Sequence, residues 1–219
     1  MRREKKLQKC SVDGTKYDYY KEKLKEKEFV IRRIRGILYY NQALKKEPEI
    51  TQHVIKTARQ AGMAMAGEEC RIKTKKSYFK KIRRKSGVRE NSYVVKDILR
   101  YTYTASSEEL VEKFLKVIEL NLNSGYNTVE IKNYWLDGQN PYNGINTIVR
   151  SPDGLVFELQ YHTPESFEIK NGKMHELYEK QRPVTDVSSN EYIELGDQMF
   201  ELSDSMEIPK GIEKVRTHE

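Results

Sequence analysis

Ten basic side chains and no acidic one lie between residues 71 and 89. Within this stretch Ser77, Lys81 and Arg84 recur at i, i+4 and i+7, a spacing that places all three on one face of a helix. The pattern predicts a helix over residues 77–85, with Ser77 as its N-cap. That face would present one hydroxyl group and two cations to whatever lies beside it.

Arg71 and Lys73 come directly before the same helix. Free N–H groups at a helix N-terminus, the helix dipole and fixed cations all favour an anion, so this segment is a candidate polyphosphate site. The alternative is a basic helix that contacts RNA or is simply solvated.

Two carboxylates fall in apolar, β-rich surroundings. Asp97 follows a pair of valines, and Glu158 lies within Leu155-Val-Phe-Glu-Leu-Gln160. A carboxylate within a strand is costly to desolvate unless it is paired or binds a cation. Brought together from different strands, the two would form a hard-oxygen site for Mg²⁺, suited to the transfer of phosphoryl-type groups. The alternative is two edge-strand carboxylates that face solvent.

Tyr142 lies in a loop, residues 140–146, that leads into a strand. Its ring could stack on a base, although in a chain with 15 tyrosines a structural role is the alternative. The four histidines include no His-Asp dipeptide and no His-Glu-x-x-His motif, so the sequence does not support a metal hydrolase site.

The elements that must position these residues are helices followed by a small mixed sheet. Apolar spacing predicts a helix from Tyr20 to about Leu44, a break at Pro48, and a second helical stripe from Ile50 to Met65. Ser106 and Glu109 have capping-box spacing and open a helix that ends near residue 125. Strands are expected over residues 94–104, 128–134, 145–150 and 155–162.

The last two strands should pair as a hairpin, because Ser151-Pro-Asp-Gly154 is a turn signal. From Thr163-Pro164 a helical tail follows, broken at Asn171-Gly172 and Pro183 and resuming to about Ser205. This order of elements indicates an α+β or mixed α/β protein.

The two halves of the chain carry net charges of opposite sign. Residues 1–100 carry 29 Lys/Arg and 12 Asp/Glu, a net +17, whereas residues 101–219 carry 11 and 21, a net −10. The first half should face an anionic partner, and the acidic second half argues against a protein that only coats nucleic acid.

Composition narrows the class further. At 37% hydrophobic and 10% aromatic residues the chain can bury a core, and it has no apolar run long enough to span a membrane. No apolar segment follows the basic start, so no secretory signal is expected. Cys10 and Cys70 fit neither a disulfide framework nor a zinc site, which favours a reducing, cytoplasmic compartment. Non-classical export as a toxin stays open.

Taken together, these segments resemble the RelA/SpoT-type nucleotide pyrophosphokinases, the alarmone synthetases. The likeness covers roughly residues 60–182, with five motifs in the family's order. The family's Arg-x-Lys-x-x-x-Ser-x-x-x-Lys motif is matched at full spacing by Arg71, Lys73, Ser77 and Lys81. The other matches are Asp97, Lys132-Asn-Tyr134, Tyr142 and Glu158-Leu-Gln160-Tyr-His162-Thr163.

The resemblance implies a nucleotidyltransferase-like α+β fold, a mixed sheet of about five strands flanked by helices, with helical N- and C-terminal segments. We expect a basic helical segment over residues 1–60, the synthetase-like domain with its helical tail over 61–205, and a flexible C-terminus over 206–219.

The implied activity is transfer of the β,γ-pyrophosphate of ATP to the 3′-hydroxyl of a nucleotide. On this resemblance Asp97 and Glu158 hold Mg²⁺, and Glu158 also draws the proton from the attacking hydroxyl. The expected ATP-binding residues are Arg71, Lys73, Ser77, Lys81 and Arg84. The expected acceptor-binding residues are Tyr142, Lys132, Asn146, Gln160 and His162.

Three departures from the family pattern concern the acceptor more than the chemistry. The family's Gly before its strand Arg is missing, since Arg100 comes three residues after Asp97. Asn146 stands where the family has His, and His162 stands where it has Arg.

GDP or GTP is the family's usual acceptor and gives a stringent-response alarmone. Toxin-like members use ADP or ATP, or the 3′ end of tRNA, and the basic first half of this chain would suit tRNA. A toxin would also need a neutralising antitoxin or immunity protein. Without catalysis, the chain would be a basic RNA-binding module or a structural member of the fold.

Overall fold

Six α-helices and five strands make up the described part of this computed structural model, residues 14–84 and 94–218. The helices are α1 Gly14–Ala61, α2 Lys75–Arg84, α3 Leu110–Asn123, α4 Pro164–Asn171, α5 Lys173–Gln181 and α6 Asn190–Asp204. The strands are β1 Ala64–Ala66, β2 Arg100–Thr104, β3 Asn127–Asn133, β4 Ile145–Arg150 and β5 Val156–His162. None of the helices among these residues is both long and apolar enough to cross a membrane.

The strands form one mixed sheet in the order β1-β2-β5-β4-β3. Only β2 and β5 are parallel, and every other neighbouring pair is antiparallel. The expected hairpin is confirmed: β4 and β5 pair through the turn at residues 151–154, where Gly154 takes a left-handed φ of 82°. The expected α+β fold with about five strands is therefore confirmed.

Alternation along the strands gives the sheet an apolar and a polar face. Tyr103 and Tyr161 lie on the apolar face, which packs against α1 and α3, and the Tyr103 hydroxyl donates to the carbonyl oxygen of Val54. The polar face carries Arg100 opposite Glu158, and Thr102, Gln160 and Asn146 in one row across three strands. All of the chemistry expected of the strands thus falls on one face.

Helix α1 runs through Pro48 as one helix of 48 residues, so the predicted break there is wrong. Buried residues on both sides of the proline, Ala43 and Ile50 among them, pack into the core, and this packing outweighs the hydrogen bond that proline removes. The predicted second stripe also extends too far, because Met65 lies in strand β1, which no sequence pattern indicated.

The C-terminal segment is packed rather than flexible, which corrects the expectation for residues 206–219 as far as His218. Its buried side chains are Met206, Ile212 and Val215. Asn133 Nδ2 donates to the carbonyl oxygens of Ile212 and Val215, and His218 exchanges two backbone hydrogen bonds of 2.8 Å with Ile131. Backbone pairing with β3, a long-range contact with no local sequence signal, fixes this end.

Two details near the basic helix also differ from expectation. Helix α2 begins at Lys75, and its cap is Thr74, whose Oγ1 accepts from the Ser77 backbone N–H. Ser77 is therefore in the first turn and is not the N-cap. Asp97 lies in a turn before β2 rather than within a strand, while Lys85, the expected end of the helix, falls outside the described residues.

Candidate active site

Residues 71–73 are placed beside Asp97 by backbone pairing. After β1 the chain makes one short 3₁₀ turn and returns to the edge of β2, where Ile72 bridges Leu99. The Lys73 N–H donates to the carbonyl of Ile98 at 2.8 Å, and the Arg100 N–H donates to the carbonyl of Arg71 at 2.8 Å. The first motif and the aspartate, far apart in sequence, therefore share one edge of the sheet.

Asp97 lies between two lysines from that motif. Its Oδ1 is 2.9 Å from Lys81 Nζ, and its Oδ2 is 3.1 Å from Lys73 Nζ. Burial alone would raise the pKa of Asp97, but the two ammonium groups outweigh it and hold the pKa below its usual range. The carboxylate is thus ionised and compensated, with one lysine from the loop and one from α2.

The side chain of Arg71 contacts helix α1. Its Nε donates to Glu47 Oε1 at 2.6 Å, and its guanidinium also donates to the Glu68 carbonyl at 3.0 Å. Ser77 is exposed and accepts from Thr74 Oγ1. Arg84 ends α2, and its side chain lies outside what the structure describes. Three of the five expected ATP-binding residues, Lys73, Lys81 and Ser77, thus lie beside Asp97 or in the first turn of α2.

Glu158 is the other carboxylate of this region, on β5 directly opposite Arg100. Burial raises the pKa of Glu158, and repulsion from Asp97 adds to the rise while the charge of Arg100 opposes it. Asn146 Nδ2 donates to its Oε1 at 3.4 Å. A carboxyl group that is protonated more easily than usual is suited to accept a proton during a reaction.

A cavity of about 830 Å³ opens on the polar face of the sheet, where Arg100 and Asn146, two neighbours of Glu158, are part of its wall. Its wall includes Tyr142, from the loop before β4, and the strand residues Arg100, Asn146 and Gln160. The opposite wall comes from the helical tail, with Lys170, Met174, His175 and Tyr178. The tail therefore closes the candidate acceptor side, a role that its sequence did not indicate.

His162 lies behind Tyr142 rather than on the cavity wall. It is 0% exposed, with Nε2 2.9 Å from the Tyr142 hydroxyl and Nδ1 3.0 Å from Ser166 Oγ. Burial, together with the charge of Lys170, holds the pKa of His162 well below its usual range, so the ring is neutral. His162, an expected acceptor-binding residue, thus meets the cavity only through its contact with Tyr142.

Lys132 is likewise absent from the lining of this cavity. Its Nζ is 3.5 Å from Glu130 on the same strand, and the residue borders a second cavity, of about 600 Å³, against the C-terminal segment. Of the five expected acceptor residues, the cavity brings together Tyr142, Asn146 and Gln160.

Asp97 and Glu158 fit a divalent cation by their chemistry. They supply hard oxygens, and the charge of Asp97 contributes to the raised pKa of Glu158, a repulsion that a cation would relieve. No group of three or more His, Cys, Asp or Glu side chains suited to a metal occurs among residues 14–84 and 94–218. Protein ligands alone would thus be few, as is usual for Mg²⁺ held jointly with substrate phosphates.

Among known proteins, the matches to this chain are to solved structures and not to sequences. No family model matches the sequence, and no curated protein sequence matches it. The type VI effector Tas1, solved with its immunity protein, superposes with a TM-score of 0.53 at 18% identity over 76% of this chain and 93% of Tas1.

Small alarmone synthetase 1 from Bacillus subtilis superposes equally well, with a TM-score of 0.53 at 20% identity over 78% of this chain and 88% of the synthetase. Its complex with the product pppGpp gives a TM-score of 0.50 at 18% identity, with the same shares covered. The chain therefore has the fold of the small alarmone synthetases, the family whose motifs its sequence resembles.

Proposed function

We propose that this protein is a nucleotide 3′-pyrophosphokinase, which transfers the β,γ-pyrophosphate of ATP to the 3′-hydroxyl of an acceptor nucleotide. The observation that carries the proposal is the position of Glu158. It accepts a hydrogen bond from Asn146 on the wall of a nucleotide-sized cavity, and it is close enough to Asp97, with its two lysines, to feel that carboxylate's charge. The site thus has a cationic donor side and a concave acceptor side, with a proton acceptor between them.

On the donor side Lys73, Lys81 and Arg71 supply the charges for the ATP phosphates and the flat guanidinium for its adenine. Each is now paired with a carboxylate, Asp97 for the lysines and Glu47 for the arginine. ATP would replace these partners with its own anionic oxygens, which is a charge-for-charge exchange. The same pairing reduces the positive charge on offer to RNA and so disfavours the RNA-binding alternative.

In the proposed reaction Glu158 takes the proton of the acceptor's 3′-hydroxyl. The 3′-oxygen bonds to the β-phosphorus of ATP, the bond from that phosphorus to the α,β-bridging oxygen breaks, and AMP leaves. Asp97 and Glu158 are the residues that would hold Mg²⁺, which when bound neutralises phosphate charge. Positioning and charge compensation supply most of the catalysis in such transfers.

A guanine nucleotide, GDP or GTP, is our first choice of acceptor, because the sequence resembles alarmone synthetases and a solved structure of similar fold carries its product pppGpp. The alternative is a toxin that modifies ADP, ATP or the tRNA 3′ end in the cytoplasm and is neutralised by an immunity protein. The similarity of the fold to the effector Tas1 keeps that alternative open.

Labelled substrate tests the proposal and identifies the acceptor. The protein is incubated with γ-labelled ATP and, separately, GDP, GTP, ADP or tRNA, and the products are separated. We expect label on a guanine nucleotide and none on tRNA at any salt concentration. Label on tRNA that falls steeply as salt rises would instead indicate many phosphate contacts and the tRNA alternative.

A further inference from the structure

The positively charged side chain of Arg100 borders the cavity. It is partly buried on the central strand β2 and lines the cavity wall. No residue of the described ranges, 14–84 and 94–218, accepts a hydrogen bond from its guanidinium or forms an ion pair with it within 4 Å. A guanidinium has five N–H donors in a planar fork that fits phosphate oxygens. Unused donors on a cavity wall are therefore available to a ligand.

Lys170 brings a second cation to the same cavity from helix α4. Its Nζ donates to Gln160 Oε1 at 2.6 Å and lies 5.6 Å from the centre of the Phe167 ring. Burial lowers the pKa of Lys170 to about 8, and the charge of Arg100 contributes to the decrease. The two cations therefore repel each other, and no carboxylate forms an ion pair with either among the described residues.

Among the described residues, no other titratable group on this wall forms an ion pair with either cation. Glu69 and His175 are exposed, and so is Cys70. Glu158, opposite Arg100, attracts both cations but forms no ion pair with either. A dianionic ligand would satisfy the unused donors of Arg100 and remove the repulsion between the two cations.

We propose that Arg100 and Lys170 form an anion site that binds the 5′-phosphate groups of the acceptor nucleotide. This inference rests on the proposed function and names a requirement of its acceptor: a 5′-phosphate monoester or diphosphate, not a nucleoside. The acceptor is the source of the anion because both cations line the cavity with Tyr142 and Asn146. The lysines expected to bind ATP are instead paired at Asp97.

The test measures equilibrium binding to the full chain by calorimetry, without ATP. Guanosine, GMP and GDP are compared, with the adenosine series in parallel. In one of the two series we expect each phosphate to tighten binding, by about tenfold or more in total, since charge-assisted hydrogen bonds are the strong ones. Arg100→Gln and Lys170→Met should each abolish most of that gain and leave nucleoside affinity unchanged.

Three controls keep the result interpretable. Lys180→Met, an exposed lysine on α5, should bind like the unsubstituted protein. Arg100→Lys and Lys170→Arg keep the charges, so they should retain part of the gain, and thermal unfolding checks that all variants fold. Binding at pH 8 in buffers of different ionisation enthalpy should reveal the uptake of roughly half a proton, because an anion raises the pKa of Lys170.

Two results would overturn the anion site. One is equal affinity for nucleosides and nucleotides in both series. The other would come from a separate titration with ATP alone: a loss in the two variants confined to ATP binding would assign the cations to the donor. If phosphates tighten binding through Arg100 and Lys170 but labelled ATP transfers nothing, the anion site stands and the proposed activity fails.

Discussion

The Tyr142 hydroxyl is held between Asn146 and His162, with 2.7 Å to Asn146 Oδ1 and 2.9 Å to His162 Nε2. Because burial, with the charge of Glu158, holds the pKa of Tyr142 well above its usual range, the hydroxyl stays protonated and donates to Asn146. We therefore assign the single proton of neutral His162 to Nε2, which donates in turn to the tyrosine oxygen.

Tyr142→Phe should therefore destabilise the protein more than the loss of an exposed hydroxyl would. The ring face that could stack on a base survives this substitution, but the contacts of the hydroxyl are lost. The substitution leaves a buried histidine nitrogen and the Asn146 carbonyl unsatisfied, so we expect the free energy of unfolding to fall by about 1–3 kcal/mol. Chemical denaturation measures it. Tyr192→Phe, whose hydroxyl has no partner among the described residues, is the control, and equal stabilities of the two variants would contradict the account.

Gly144→Ala tests how closely the same group is packed. A Cβ at this position would lie 2.7 Å from His162 Cε1 and 2.9 Å from the Tyr142 hydroxyl oxygen, so the pair would have to shift. We expect a destabilisation of about 1–3 kcal/mol and weaker acceptor binding. The matched control is Gly138→Ala, whose Cβ would meet nothing within 4 Å. A fully stable Gly144→Ala protein would show that the His162–Tyr142 contact is loose.

The pKa values of Glu158 and Asp97 are shifted in opposite directions, so the contributions of these two carboxylates to stability should depend on pH in opposite ways. The pKa of Glu158 is raised by burial, so its contribution to stability is present below the unfolded-state pKa and lost as pH rises through the folded-state pKa. Glu158→Gln should therefore unfold at a higher temperature than the unsubstituted protein at pH 8, with the advantage disappearing in acid.

Asp97→Asn should behave in the reverse way. Although burial opposes it, the two lysines lower the pKa of Asp97, so its contribution is present above the unfolded-state pKa and lost as pH falls through the folded-state pKa. The variant should thus be less stable at pH 8. Thermal unfolding from pH 3 to 8 compares both variants, and shifts of the same sign at pH 8 would contradict the assigned environments.

Glu47→Gln should strengthen ATP binding. Glu47 competes with the nucleotide for Arg71 through the 2.6 Å ion pair, and a partly exposed pair of this kind is worth up to about 1 kcal/mol. Removing the competing charge should lower the Kd for ATP roughly two- to fivefold. Glu49→Gln, which pairs with Lys46 instead, is the control. Weaker ATP binding in Glu47→Gln would mean that the pair positions Arg71 rather than restraining it.

Features with a local signal could be predicted from the sequence. Strand β4 and its hairpin with β5 follow from alternation and a turn, and the start of α4 follows from Thr163-Pro164, where Thr163 and Ser166 form a reciprocal capping box. The first motif could be placed near Asp97 only through the family resemblance.

Features that depend on distant partners could not be predicted. Strand β1 has three residues and no period of its own, and it exists because β2 pairs with it. The Arg71–Glu47 ion pair joins positions 24 residues apart, and His162 is buried because Tyr142 and Ser166 satisfy both its nitrogens. In the sequence nothing distinguishes Lys170 from an ordinary helix lysine, because it reaches the cavity only when the helical tail packs over the sheet.

The most direct test of the central claim is the identity of the nucleotide that ATP leaves behind. A pyrophosphokinase forms AMP and one 3′-pyrophosphorylated acceptor for each ATP consumed, whereas a kinase or a simple ATPase forms ADP. Chromatography with mass detection measures both products in one sample, with and without the acceptor.

For the unsubstituted protein we predict AMP and the pyrophosphorylated nucleotide in equal amounts, only when the acceptor is present. Glu158→Gln, still folded, should lose roughly 10³-fold or more of that rate, as expected when a group that acts in the transition state is removed. Formation of ADP, or a Glu158→Gln variant that forms AMP and the product as fast as the unsubstituted protein, would contradict the account.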